Sequence, residues 1–392
     1  MYTIKTYNAI APVGLDRFDA SRYAVSAEAE APDAMLLRSH KLGVDELNDG
    51  LAAIARAGAG VNNVPVQACS ERGIVVFNTP GANANSVKEL VLTALLLASR
   101  DVNGGIEYVR SLSDISDEAE LNRLVEAEKK RFKGTELIGK TLGVVGLGAI
   151  ASLVARVGLD MGMQVLGYDP ALSVEAAWRV PAEVGRMEAL PALFAQADFV
   201  SLHVPLLPAT EGIINRQSIN AFKPGSVLLN FARQPIVDTA ALAEALEDGR
   251  VGKYVADFPV PGLIEHPNVM LTPHLGASTA EAEENCAVMA ADQLISFLET
   301  GSIRNSVNFP EVSMGASEGY RLGVTNHNVP GMLGQMTSLL ADRNINVIDL
   351  INKSRDDFAY NLIDVAAAPD AGLIDALKGI EGVIGVRVIS DS

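Results

Sequence analysis

The sequence predicts an α/β protein built on parallel sheets, with a smaller ferredoxin-like unit at its C-terminal end. Three observations predict it. From the N-terminus to about residue 300, short apolar runs alternate with longer amphipathic or small-residue stretches, as strands alternate with covering helices in parallel-sheet domains. Residues 140–170, KTLGVVGLGAIASLVARVGLDMGMQVLGYDP, set out an apolar strand, a glycine turn, a helix, a second strand and a terminal acid. Residues 319–392 read β, α, β, β, α, β, the ferredoxin-like order.

Strand-like runs lie at 34–37, 74–77, 141–145, 164–168, 198–204, 226–231 and 269–272, and helix-like stretches at 86–100, 150–161, 240–248 and 279–299. Residues 111–133, charged and polar throughout, read as a solvated helical connection. Residues 301–319 lose periodicity and gather Gly, Ser, Asn and Pro, which marks a domain boundary. Beyond it, strands are expected at 320–325, 346–353, 360–366 and 383–389, and helices at 330–343 and 371–380. So small a unit commonly buries its remaining apolar face against a copy of itself or the main body.

A length of 392 residues suits two or three domains. The opening MYTIKTYN lacks the basic, apolar and small-residue progression of a leader. The longest apolar stretch, 90–98, falls far short of the roughly 20 residues that span a bilayer. A cytoplasmic location is therefore expected. Two cysteines, Cys69 and Cys286, without a CxxC or paired histidine spacing, suggest neither a disulfide framework nor a metal site. A net charge of −17 argues against nucleic-acid or anionic-membrane partners, which need a basic footprint. An anionic ligand would have to be held by a few focused cations.

Gly146, Gly148 and Ala151 occupy the G-x-G-x-x-G/A positions. The first permits the tight turn, the second lets backbone approach a pyrophosphate, and the third lets helix and strand pack closely. A pyrophosphate would sit at the N-terminus of the helix starting near Ala149, where free N–H groups favour anions. Asp169 follows Gly148 by 21 residues at a strand end, where it would accept both ribose hydroxyls and repel a 2′-phosphate. That favours NAD over NADP.

In SVLLNFARQPIVD a strand delivers Arg233 to its C-terminal end, and a second apolar run delivers His274 in the same way. That is the edge where open α/β sheets bind ligands. An Arg that clamps a carboxylate and a His that exchanges a proton are what hydride transfer from a 2-hydroxy acid requires. Ser278 and Glu281 form an S-x-x-E capping box for a helix beginning near Thr279. Near the N-terminus, Arg38 and Ser39 follow a strand and Arg56 precedes Gly58 and Gly60. Cations, hydroxyl and glycine-exposed amides together could cradle a phosphate and a carboxylate; surface salt bridges are the other reading.

RAGAGVNN, NTPGANANSVKEL, GLGAIA with YDP, SLHVPLLPATEGIIN, NFARQPIVD and TPHLGAST, in that order and spacing, resemble the D-isomer-specific 2-hydroxyacid dehydrogenases, with a terminal unit similar to the ACT regulatory fold. The resemblance implies two Rossmann-like doubly wound parallel-sheet domains. One, a discontinuous substrate domain, takes 1–100 and 275–302; the other, binding NAD, takes 101–274; a linker, 303–318, leads to the ACT domain, 319–392. It implies oxidation of 3-phospho-D-glycerate at C2, with Arg233 as the substrate-binding catalytic Arg and His274 as acid/base. Arg38, Ser39 and Arg56 match phosphate-binding positions, and Gly58 and Ala59 the amides facing the carboxylate. Asp257 matches the acid that holds the nicotinamide carboxamide. Ile150, His203, Pro205, Thr210, Phe231 and Gly276 join Gly146, Gly148, Ala149, Ala151 and Asp169 along the cofactor.

One departure stands out. Family members usually carry, about five residues after the position of Asp257, a Glu that pairs with the catalytic His, and here that place is Gly262. Either Glu265, three residues later, takes that place, or His274 works with a weaker or more distant acid partner; His266 beside Glu265 has no motif match and reads as a surface residue, while His40 could touch substrate or lie exposed. In serine-inhibited relatives three polar side chains match Asn326, Asn328 and Asn346, though one is a His where this chain has Asn326. Helix capping is the alternative for Asn328. L-serine is thus a candidate effector, and the terminal unit implies a homodimer or homotetramer. The alternatives are a dehydrogenase of another D-2-hydroxy acid, of the glycerate, glyoxylate or 2-oxoglutarate type, and a non-catalytic NAD-sensing regulator on the same scaffold.

Overall fold

A computed structural model describes residues 1–389; the last three residues of the expected C-terminal unit lie outside the described residues. The chain divides into two compact units, Met1–Asn83 with Ala280–Ser392, and Ala84–Thr279.

The first unit holds two sheets. Strands β1 (Tyr2–Tyr7), β2 (Tyr23–Ser26), β3 (Ala34–Leu37), β4 (Ala53–Arg56) and β5 (Val75–Phe77) form a parallel sheet in the order β2-β1-β3-β4-β5. Every residue of β3 and β5 is buried, as expected of strands covered on both faces. The helix Ala280–Thr300 covers one face with Cys286, Ala287, Ala290, Ala291, Leu294 and Phe297, packed in one core with Ile4, Leu36, Ala55 and Phe77. Alanines along this stripe allow close approach: a Cβ on Gly14 would lie 2.5 Å from Ala287 Cβ.

In the second unit, β6 (Thr141–Val145), β7 (Gln164–Tyr168), β8 (Gly185–Arg186), β9 (Phe199–Leu202), β10 (Ser226–Asn230), β11 (Val251–Ala256) and β12 (Val269–Leu271) form a parallel sheet. Its order, β12-β11-β10-β9-β6-β7-β8, reverses direction between β6 and β9, the doubly wound switch point. The helix Ala84–Ser99, assigned by sequence to the first domain, belongs to this unit. Its Val87, Val91 and Leu95 share a core with Leu142, Val144 and Val154. The connection after it forms two helices, Val102–Ser111 and Glu118–Glu128, neither with a buried residue.

The ferredoxin-like sheet comprises β13 (Tyr320–His327), β14 (Val347–Arg355), β15 (Phe358–Val365) and β16 (Val383–Ile389), antiparallel in the order β14-β15-β13-β16. The helices Met332–Asp342 and Ala371–Lys378 bury Met336, Leu340, Leu373 and Leu377 against Leu322, Val324 and Ile363. The other face, with Phe358, Tyr360, Leu362 and Ile389, joins the core under the helix Ala280–Thr300. Residues 303–318 are no loose linker. Phe309 is fully buried, and Asn308 accepts from Val76 N–H at 2.9 Å and donates to Ile74 O at 2.9 Å. No described helix is long and apolar enough to cross a membrane.

Candidate active site

In the unit 84–279, β6 runs into the glycine turn. Gly146 has φ +84°, and a Cβ there would lie 2.9 Å from the His203 carbonyl oxygen, so the position requires glycine. Gly148 caps the helix Ala149–Asp160 with no side-chain cap bond, and a Cβ on it would meet no protein atom within 4 Å. Ala151 is fully buried where helix meets sheet. The first turn, with Ala149 and Ile150, therefore presents backbone N–H groups to open space, the arrangement that binds a pyrophosphate. Asp169 already accepts from Leu147 N–H and Ala171 N–H, each at 2.9 Å, which fixes the carboxylate beside the turn and leaves each oxygen a lone pair.

His203 lies 2.8 Å through Nε2 from Ser201 Oγ, while its Nδ1 is buried without a partner. Burial pushes the imidazole down to about 4, so it is neutral at physiological pH and suited to packing rather than proton exchange. After it, Thr210 Oγ1 donates to Pro205 O and accepts from Leu207 N–H at 2.9 Å, clasping its own loop. A glycine cradle, an uncapped helix start and a fixed acid together fit a dinucleotide.

The turn after β10 is made by Asn230, which sequence reasoning missed. Fully buried, it accepts from Ala232 N–H at 3.1 Å and donates to Arg233 O at 3.0 Å. Phe231 is half-buried in this turn, and Arg233 projects exposed, its Nη1 donating to Ala232 O at 2.7 Å. Among the described residues no carboxylate pairs with it.

Asp257 is 5% exposed and holds the loop that carries His274. Its Oδ1 accepts from Thr272 Oγ1 at 2.6 Å and Leu275 N–H at 2.7 Å, and Oδ2 from Gly276 N–H at 2.6 Å. The Gly276 carbonyl accepts from Ser86 Oγ at 2.7 Å. Between these anchors His274 adopts φ +63° and is exposed, a strained conformation held by its surroundings. The helix starts at Ala280, so Ser278 does not stand next to its first residue, and Ser278 Oγ donates back to His274 O at 3.5 Å.

Glu265 is not brought to His274. It is exposed, and among the described residues His274 has no ion-pair partner. Gly262 explains the vacancy in the motif: its φ is +84°, a turn conformation that a Glu adopts only with strain. His266 lies 3.7 Å from Glu247.

In the other unit, Arg38 follows β3 and Arg56 ends β4, neighbouring strands in register at Leu37 and Arg56. Arg56 Nε donates to Arg38 O at 3.0 Å. Gly58 has φ +151°, and a Cβ on it would overlap Arg56 Nη1; its space is filled by the guanidinium rather than left open above exposed amides. Arg38 Nη2 pairs with Glu283 Oε1 at 2.7 Å, a partner the motifs did not signal. Ser39 is exposed, its N–H donating to Asn8 Oδ1 at 3.1 Å, and Ala59 O accepts from Asn78 Nδ2 at 2.6 Å. His40 stacks on Tyr7 at 4.2 Å and meets Glu46 at 3.1 Å, a structural engagement.

The three asparagines of the C-terminal sheet are not brought together. Asn326 is 1% exposed, and its amide accepts from Asn361 Nδ2 at 2.7 Å and donates to His327 O at 2.6 Å. Asn328 donates to Asp356 O at 3.0 Å and caps no helix, since Gly331 stands at that place. Asn346 is exposed. Asn326 is therefore a structural amide rather than an open contact.

The NAD binding domain profile of the D-isomer specific 2-hydroxyacid dehydrogenases matches residues 104–276, and the ACT domain profile matches 320–382. The D-3-phosphoglycerate dehydrogenase of Haemophilus influenzae is 36% identical over 342 residues, covering 84% of this chain and 79% of the relative. That of Escherichia coli K12 is 33% identical over 361 residues, covering 86% and 82%. The crystal structure of NAD+-bound 3-phosphoglycerate dehydrogenase from Entamoeba histolytica aligns with a TM-score of 0.62 at 24% identity, over 78% of this chain and 98% of that one, a likeness of fold. With its doubly wound sheets, its glycine turn and relatives matched over most of both lengths, the chain belongs to the D-isomer specific 2-hydroxyacid dehydrogenase family.

Proposed function

We propose that the chain oxidises 3-phospho-D-glycerate to 3-phosphohydroxypyruvate, the first step of phosphorylated L-serine biosynthesis. The names of the relatives support this reading, and one observation carries the substrate class. Two guanidiniums, Arg38 and Arg56, stand at the carboxyl ends of adjacent parallel strands in a protein of net charge −17. A phosphate monoester holds roughly −1.5 to −2, and such cations are what would hold it.

In the unit 84–279, Arg233 would clamp the substrate carboxylate with the N–H groups that its bond to Ala232 leaves over. His274 would take the C2 hydroxyl proton on its exposed imidazole, held in place by Asp257 through the loop 272–276. NAD, when bound, supplies the hydride acceptor. Gly146, Gly148 and the first turn at Ala149 and Ile150 would hold its pyrophosphate, Asp169 the ribose hydroxyls, and His203, Pro205, Thr210 and Phe231 would line it. Asp257 keeps its three bonds to the loop, so its part is to position His274 rather than to hold the carboxamide alone.

The division into substrate, NAD and ACT domains belongs to the same proposal, as do L-serine as the amino-acid effector of the ACT domain and assembly as a homodimer or homotetramer. The deciding experiment follows NADH by absorbance with 3-phosphoglycerate against D-glycerate. Turnover with the phosphorylated acid is expected, reduced by about a hundredfold or more in Arg233→Ala and His274→Asn. The Arg38–Glu283 pair favours a second reading, an unphosphorylated D-2-hydroxy acid, and preference for D-glycerate would support it. No turnover with either would overturn the enzymatic assignment.

A further inference from the structure

The amino-terminal edge of the β6–β12 sheet lies opposite the edge that carries Arg233 and His274, and it holds a cavity of about 360 Å³. Four lysines line it: Lys133, Lys140 just before β6, Lys223, and Lys253 in β11. Two carboxylates, Asp101 and Asp198, answer them, and both are engaged. Asp101 accepts from Gly104 N–H and caps the helix Val102–Ser111. Asp198 takes Lys223 Nζ at 2.6 Å and Thr141 N–H at 2.8 Å. Burial alone would raise the Asp198 carboxyl, yet Lys223, the Thr141 amide and the charge of Lys140 hold it below its usual range, so it stays ionised and neutralises Lys223. Lys133, Lys140 and Lys253 have no ion-pair partner among the described residues.

A bland explanation is that these lysines answer helix C-termini. Only the end of the helix Ala84–Ser99, at Ala98 and Ser99, lines the cavity. It offers about half a negative charge, too little for three lysines. A further observation points the same way: Ser226, which opens β10 and lines the cavity, is 3% exposed, and its hydroxyl has no hydrogen-bond partner. Four lysines against the two carboxylates leave the cavity an excess of positive charge in an acidic protein, and cations so gathered repel one another unless an anion joins them.

We propose that this cavity binds a small, multiply charged oxyanion, a phosphate ester or pyrophosphate, at a site separate from the dehydrogenase chemistry. The test uses inorganic pyrophosphate and the full chain, saturated with NADH and carrying Arg38→Ala and Arg56→Ala to remove the other phosphate-binding cations. Isothermal titration is expected to find one site. Adding Lys140→Ala and Lys253→Ala should weaken it about tenfold or more, while Lys140→Arg with Lys253→Arg keeps it within about threefold. Circular-dichroism melts check folding, and Lys133→Ala, at an exposed position, carries the test if the double variant fails to fold. No binding in the Arg38→Ala, Arg56→Ala background, or equal affinity in the Lys→Ala variant, overturns the proposal. Binding is read without turnover, so this outcome is independent of whether the chain oxidises 3-phosphoglycerate.

Discussion

Arg38 meets Glu283 at 2.7 Å, so a cation assigned to a phosphate already carries a carboxylate. Both side chains are more than a third exposed, and such pairs contribute about 1 kcal/mol at most. A dianionic phosphate would therefore displace Glu283 at a modest cost. Glu283→Gln should lower KM for 3-phosphoglycerate by about twofold to fivefold, since that cost is removed, with kcat within about twofold. Steady-state kinetics check it, and an unchanged KM would remove Arg38 from the phosphate. His203 makes a second residue-scale prediction. Its folded value of about 4 lies below the ordinary 6.5, so the unfolded chain binds the extra proton first as pH falls. The stability held above pH 6.5 is lost progressively between about 6.5 and 4, on the order of 3 kcal/mol. Thermal melts of the cofactor-free protein should show that slope, and His203→Asn should flatten it.

Segments fail or succeed in being read for reasons visible in their bonds. The glycine turn was legible because Gly146, Gly148 and Ala151 each answer a different local steric demand, at a positive φ, an open approach and a buried contact. The packing of residues 303–318 is not legible in their composition because the partners of Asn308 lie more than two hundred residues away, at Ser70, Ile74 and Val76. Composition shows the polar residue and hides the bonds that let it be buried. Asn308→Ala would leave the Val76 N–H and the Ile74 carbonyl without partners, costing about 2 to 4 kcal/mol, read from the urea midpoint at unchanged m. A loss under about 0.5 kcal/mol would return the segment to the status of a linker. Gly262 was legible as a departure, but not its cause, since only the backbone shows the positive φ. The bond of Asn326 to Asn361 shows a related limit: it crosses from β13 to β15, a pairing that register decides and spacing does not show.

At the scale of the whole molecule, a net charge of −17 makes copies of the chain repel one another, so self-association needs a local apolar surface to oppose it. The helix Val102–Ser111 supplies one. Val102, Ile106 and Val109 recur at i, i+4 and i+7 and are 45%, 45% and 56% exposed, while the helix buries no residue. An amphipathic helix gains most of its stability from a covered apolar face, and the expected homodimer or homotetramer would cover this one with a second copy. Ile106→Glu with Val109→Glu should therefore lower the mass measured by light scattering at micromolar concentration. Far-ultraviolet circular dichroism should stay unchanged, because neither side chain belongs to a core of the unit. A variant that keeps the mass of the unmodified protein would place the interface on another surface, and an unmodified protein that is itself monomeric would show that the charge repulsion is not overcome.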